Sequence, residues 1–336
     1  MAVPSDRSPA LAGGASARLQ ASAGSIDAPR TPSGLADRGL DWLTANLDRF
    51  EPFQGQPTWI WRKHKALVEL ALISLCLRRQ TNFADDIRVD RFLELILRTH
   101  RNPVYREVVF RQGGDFAADA FVPLALHACH LLDDADEFRA LQDLLDHSNI
   151  LWKSRPPHKI LELIHLLDLG GFSHRLQSPT TYLKRFVNRP MNLIRITTDD
   201  SYVITHTVFY LSDFGARVDF LIPDTQRQQL SWLVEHLLGV YVRVENWDLV
   251  AELLLCCHCL RLTRSPLYAI GWQALLATQR SDGAVPGPDY DPTQQDGLAA
   301  ELRPEYLFEH CYHPTLAAVL AGAQCRDNGA DDGEQA

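Results

Sequence analysis

The chain has 336 residues, of which 46% are hydrophobic, 9% aromatic and 22% charged, enough apolar material for a sizeable buried core. Asp and Glu total 42 against 33 Lys and Arg, a formal net charge of −9. No lysine-rich arm or basic block occurs, which argues against a nucleic-acid surface.

Residues 1–33 are rich in Ala, Ser, Gly and Pro and nearly lack large apolar side chains, the composition of a disordered tail. They carry no apolar segment of secretory type, and Asp6 and Asp27 speak against an acid-poor presequence. From residue 34 the pattern is helix after helix. Leu40, Leu43, Leu47 and Phe50 recur at helical spacing within Leu35–Phe50. The longest apolar run, Leu67 to Leu77, contains Glu69 and is bounded by Lys65 and Arg78. It falls well short of the ~20 residues that span a bilayer, so Lys65–Arg78 reads as a core helix and no membrane partner is expected.

Further helices are predicted over Arg88–Thr99, Ala117–Leu132 and Ala135–His147, with Asp133-Asp134 as stop and N-cap between the last two. Lys159–Leu169 ends at Gly170-Gly171, a helix C-terminal signal. Then follow Thr180–Val187, Tyr202–Phe214 with Asp199-Asp200 as its cap, Thr225–Leu238, Trp247–Leu262, Leu267–Arg280 and Pro314–Ala323. Arg195–Thr198 is the best candidate for a short extended piece. Residues 326–336 are acidic and polar and read as a second tail. Nearly all-round apolar helices alternate with amphipathic ones, which suits two concentric helical layers. The expectation is all-α: a single α/α-toroid domain over 34–325 with a central cavity. The seven cysteines are odd in number and unevenly spaced, which points to free thiols in a reducing cytoplasm.

The candidate chemistry sits on two helices and one junction. His206, Tyr210 and Asp213 fall at i, i+4 and i+7 on one face of an apolar segment, where they need mutual bonding or a ligand. Asp248, Glu252, Cys256 and Cys259 form a second stripe at i, i+4, i+8 and i+11. The plainer readings are an Asp248 favoured by the helix dipole and thiols serving as small core residues. His313 precedes Pro314, which pushes it out of the α region and places it at a helix entrance; a structural His bonded to a carbonyl is the alternative. Cys259, Cys311 and His313 could supply three zinc ligands, with Cys257 or His310 as substitutes, although the acid/base reading requires no cofactor. Dinucleotide-binding glycine fingerprints, P-loops, nucleophile elbows and His-Glu-x-x-His are absent, which removes the easy nucleotide, hydrolase and zincin readings.

Gly271-Trp272, Leu275, Gln279 and Asp282-Gly283 spell Gly-Trp-x-x-Leu-x-x-x-Gln-x-x-Asp-Gly. This resembles the Gln-x-x-Asp-Gly-x-Trp repeat of terpenoid cyclases and other α/α-toroid proteins, where the motif caps a helix and bridges to the next hairpin. The terminal Trp is missing (Val285 stands near it), and the Asp-x-Asp-Asp acid of squalene-type cyclases has no counterpart. The order His206, then Cys256 to Cys259, then His310-Cys311-Tyr312-His313 is similar to that of lanthionine-forming cyclases, without their Cys-His-Gly signature. The Thr205-His206 to Gly215 segment and Tyr312-His313 also resemble those of uncharacterised actinobacterial proteins, some of which accompany natural-product pathways.

What the residues and these resemblances imply is a cytoplasmic tailoring enzyme of natural-product biosynthesis. It would catalyse an acid/base-assisted cyclisation, addition or elimination, of lyase or cyclase type, on a peptide or isoprenoid. Other enzymes of the pathway would be its partners. In that reading His206 is the general acid or base. Tyr210 and Asp213 orient it or the substrate, Asp248 and Glu252 are secondary acid/base candidates, and His313 stands opposite at the cavity mouth. The rival is a non-catalytic helical scaffold binding a peptide or partner protein; convergence of the polar residues in one place discriminates between the two.

Overall fold

The computed structural model describes residues 30–53, 61–112, 116–179, 181–182, 192–217 and 223–327. Among them are thirteen α-helices and no strand: α1 (Pro32–Ala45), α2 (Trp61–Arg78), α3 (Ile87–His100), α4 (Pro103–Gln112), α5 (Phe116–Ala128), α6 (Ala135–His147), α7 (Pro157–Leu169), α8 (Thr198–Ser212), α9 (Asp224–Arg243), α10 (Trp247–Cys259), α11 (Pro266–Thr278), α12 (Pro292–Gly297) and α13 (Arg303–Asp327). The helices belong to one unit that begins at Thr31. No helix among the described residues is long and apolar enough to cross a membrane.

Local chemistry sets the helix starts. The side chains of Thr31, Asp86, Asp134, Asn246 and Ser265 each accept a backbone N–H from the first turn of α1, α3, α6, α10 and α11, satisfying donors that a helix cannot bond internally. At α8 the cap is Thr197 rather than the Asp199-Asp200 pair, and Asp200 closes a capping box with it. Of the expected extended piece at Arg195–Thr198, Ile196 and Thr197 are extended, between a 3-10 turn, Leu193–Arg195, and the start of α8 at Thr198. The first helix starts at Pro32, inside the expected tail. Residues 1–29, most of the helix expected over 180–187, and 328–336 lie outside the described residues.

Packing runs from helix to helix in one direction. α2 lies on α5, α5 on α7, α7 on α8, α8 on α10, α10 on α13, and α13 on α2 again. α1 covers α13, α3 lies across α2 and α5, and α9 and α11 cover α10. The two kinds of helix differ as their positions require. Every residue of α10 from Asp248 to Cys257 is buried, while α3 and α6 bury one face. Carboxylates on α10 therefore need partners from other helices.

The structure corrects the expected helix at Pro314–Ala323. The helix is already running at Arg303, and Pro314 lies inside it. Proline has no N–H to offer the carbonyl four residues back, and here Gly287 N donates to His310 O instead, at 3.0 Å. Val285 N donates to Thr315 Oγ1 at 2.9 Å, and Thr315 Oγ1 donates to Cys311 O at 2.6 Å. The loop before α12 thus completes the interrupted turn, and His313 is a mid-helix residue. The Gln-x-x-Asp-Gly segment also has a visible task. Gln279 Nε2 donates to Leu35 O and Gly283 O at 3.0 and 2.9 Å, and Arg38 donates to its Oε1. Gly283 has φ +99°, and a Cβ there would stand 2.2 Å from Arg38 O. The motif ties the end of α11 to α1.

Candidate active site

Four helices each bring a charged or titratable group to one place: Glu69 from α2, His206 from α8, Asp248 and Glu252 from α10, and His313 from α13. His313 Nδ1 stands 3.1 Å from Glu69 Oε2. Its Nε2 faces Asp248 Oδ1 at 3.5 Å and Glu252 Oε1 at 3.6 Å. His206 Nε2 approaches the same Glu252 oxygen at 3.8 Å. Tyr202 donates to Asp248 Oδ2 at 2.5 Å, and Thr205 donates to Glu252 Oε2. The i, i+4 spacing of Asp248 and Glu252 aims both carboxylates at the same gap. They are buried, yet His313 and His206 keep 31% and 33% of their side-chain surface accessible, so solvent reaches the cluster.

The electrostatics follow from crowding three carboxylates around one imidazole. Burial works against a charged His313, but Asp248 and Glu69 outweigh it and hold the imidazole well above its ordinary value. Burial raises Asp248, as does its neighbour Glu252, so that carboxyl holds its proton more firmly. Burial opposes ionisation of Glu252 too, but the neighbouring imidazoles of His206 and His313 prevail and hold it well below the carboxylate range. Two carboxyls on one helix are thus driven apart in proton affinity, the arrangement that separates an acid from a base. Burial and the neighbouring Asp248 raise Tyr202.

Tyr210 flanks the cluster. Its ring meets His206 edge-on at 6.2 Å, and burial together with a bond to Glu162 of α7 raises its phenol. Glu162 also pairs with Lys159 at 2.6 Å and lines a cleft of about 240 Å³ with Lys153, Arg155 and Leu163. His158, at the start of α7, is lowered to about 4 by burial, by the charge of His206 and by Lys159.

Two sequence expectations change. Asp213 does not continue the face of His206 and Tyr210, because α8 ends at Ser212 and Asp213 takes the left-handed C-cap with φ 48°. It pairs instead with Arg79 at 3.1 Å and faces His165 at 3.6 Å. The proposed ligand set of Cys259, Cys311 and His313 is not assembled. Cys259 bonds Ser212 and lies near Gly215, while Cys311 lies near Gly287 and Arg280. Among the described residues, the His, Cys, Asp and Glu side chains whose ligand atoms gather within 4.8 Å are Asp248, Glu252 and His313. Glu69, Tyr202, Thr205 and Glu162 were not anticipated as site residues. Glu69 had a signal, as a lone carboxylate in the most apolar run of the chain.

Residues 36–323 match a family described as a domain of unknown function, DUF6895. The chain belongs to this family. The match spans α1 to the last turns of α13, so every residue of the cluster lies within the family domain. No curated protein and no solved structure matches the chain.

Proposed function

We propose that this family member is a cytoplasmic tailoring enzyme of natural-product biosynthesis that moves protons during a cyclisation, addition or elimination on a peptide or isoprenoid. The observation that carries the reading is the convergence of His206, Asp248, Glu252 and His313, from three helices, at a point that solvent reaches. A scaffold has no need to crowd buried carboxylates, whose desolvation is costly. His206 serves as general acid or base, poised by Glu252 and walled by Tyr202 and Tyr210. Asp248 and Glu252 are the secondary acid and base. Seven free cysteines support a reducing compartment.

The finer fold reading belongs to the same proposal. The succession α2, α5, α7, α8, α10, α13 and back to α2, covered by α1, α3, α9 and α11, supports an α/α toroid with the cluster on its inner helices. The Gln279 to Gly283 tie between α11 and α1 performs the bridging that the toroid motif implies.

The test incubates an extract of the source organism with wild-type protein and with Glu252→Gln or His206→Gln, in light and heavy water, followed by mass spectrometry. The expected result is a wild-type-dependent compound, isomeric with its precursor or one water lighter, carrying deuterium on carbon, and lost in both variants. No wild-type-dependent compound, or one formed equally by both variants, would overturn the reading.

A further inference from the structure

We propose that Asp248, Glu252 and His313 form a binding site for one divalent first-row cation, with Glu69 holding the histidine in its ligating orientation. This rests on the cluster being the working site, and it adds the chemical class of the partner held there.

The geometry argues for it in three ways. First, His313 spends Nδ1 on Glu69 at 3.1 Å, which leaves Nε2 facing the two α10 carboxylates. At 3.5 and 3.6 Å those separations exceed hydrogen-bond range. Ligands on a common ion at about 2.1 Å stand about 3.0–3.4 Å apart in octahedral to tetrahedral arrangements, so small movements would close the site on a cation.

Second, each ligand already has an outer partner on the side away from the gap. Tyr202 holds Asp248 Oδ2, Thr205 holds Glu252 Oε2, and Glu69 holds His313 Nδ1. That leaves Asp248 Oδ1, Glu252 Oε1 and His313 Nε2 turned inward. Metal ligands are oriented in this way, and the carboxylate–histidine pair is its commonest form. Asp248 Oδ1 is buried and accepts no hydrogen bond among the described residues, which would be costly for a carboxylate oxygen with nothing to bind.

Third, the charge is incomplete. Glu69, Asp248 and Glu252 meet only the imidazoles of His313 and, 3.8 Å from Glu252, His206, and Lys65, 3.6 Å from Glu69, has 62% of its side chain exposed and is screened by water. A divalent ion supplies the missing charge. Two carboxylates and one imidazole suit manganese, iron or zinc. With the ion in place, proton transfer falls to His206, 3.8 Å from Glu252, beside rather than within the ligand set.

The experiment reads metal, not turnover. Protein is assayed for bound metal as purified, stripped with EDTA, and titrated with Mn2+ and with Zn2+ by calorimetry, Mn2+ also by paramagnetic resonance. The expected result is a single saturable equivalent for at least one ion. Asp248→Asn and His313→Gln should each weaken it by about 100-fold or more, and Tyr202→Phe by about 10–100-fold. Cys259→Ser and Cys311→Ser should bind like wild type. Circular dichroism confirms folding, and Tyr202→Phe serves where a ligand variant does not fold. Absence of saturable binding of either ion would overturn the proposal, as would binding that the ligand variants and Tyr202→Phe leave unchanged. The acid/base reading is judged separately: product formation that survives EDTA, with no metal bound, removes the cation and leaves that reading intact.

Discussion

His313 and Glu69 lie 244 residues apart in sequence, yet His313 Nδ1 meets Glu69 Oε2 at 3.1 Å. This contact joins α13 to α2, two helices that pack on one another, and fixes which imidazole nitrogen faces Asp248 and Glu252. Tyr312, the residue before His313, also bonds Glu69, so the carboxylate is held from two positions on α13.

Glu69 is accordingly a positioning residue. Glu69→Leu should leave the chain folded but release the imidazole, lowering product formation by about 10–100-fold through kcat more than KM. Glu69→Gln, which can still accept from Nδ1, should recover part of the loss. Equal losses in both variants, traced to unfolding by circular dichroism, would contradict the assignment.

The repaired turn at Pro314 predicts a stability effect far from the chemistry. A Cβ on Gly287 would stand 2.5 Å from His310 O, so Gly287→Ala must break the bond from Gly287 N and leave that carbonyl unpaired. The expected cost is about 1–3 kcal/mol, read by urea unfolding. An unchanged midpoint would show that the loop does not complete the helix.

Acid should weaken the fold through histidines that the native state keeps neutral. Burial and neighbouring positive groups lower His158 to about 4, and burial lowers His165 despite Asp213. The unfolded chain binds these protons near the ordinary value of about 6.5. It therefore holds more protons than the native state below that pH, and stability falls as pH drops from about 6.5 towards 4. His158→Gln should flatten that slope between pH 7 and 5 in urea titrations. A slope as steep as wild type would assign the acid lability to other groups.

The thiols supply a contrast with the zinc set suggested by residue order. Burial pushes Cys259 up to about 11 and Cys257 and Cys311 up to about 12, so thiolate is scarce at pH 8. A disulfide reagent at that pH should modify Cys129 and Cys325, which are only partly buried, well before the others. EDTA should not change the pattern. Unmasking of Cys259 or Cys311 by EDTA would restore thiolate ligation.

Much of the fold was legible because helical periodicity and capping residues are local signals: Asp134 caps α6, and α7 ends at Gly170. His206, Asp248, Glu252 and His313 were legible as polar residues in apolar surroundings. The misreadings came where tertiary structure overrides a local rule. Pro314 signals a helix start only if nothing else satisfies His310 O, and Gly287 does. Asp213 shares the face of His206 only if α8 continues, and it stops at Ser212. Glu69 was visible as a misfit, but only the packing of α13 on α2 reveals what it serves.

The central claim is that the carboxylates are gathered for chemistry and not to hold the helices together. Its most direct test is the unfolding midpoint of Asp248→Asn against wild type in EDTA at neutral pH. The asparagine can still accept from Tyr202 while removing a carboxyl that burial and Glu252 make costly to ionise, so the account predicts a midpoint no lower than wild type, as when a functional strain is removed. A loss of about 3–5 kcal/mol, the cost of breaking a buried structural ion pair, would contradict it and make the cluster part of the scaffold.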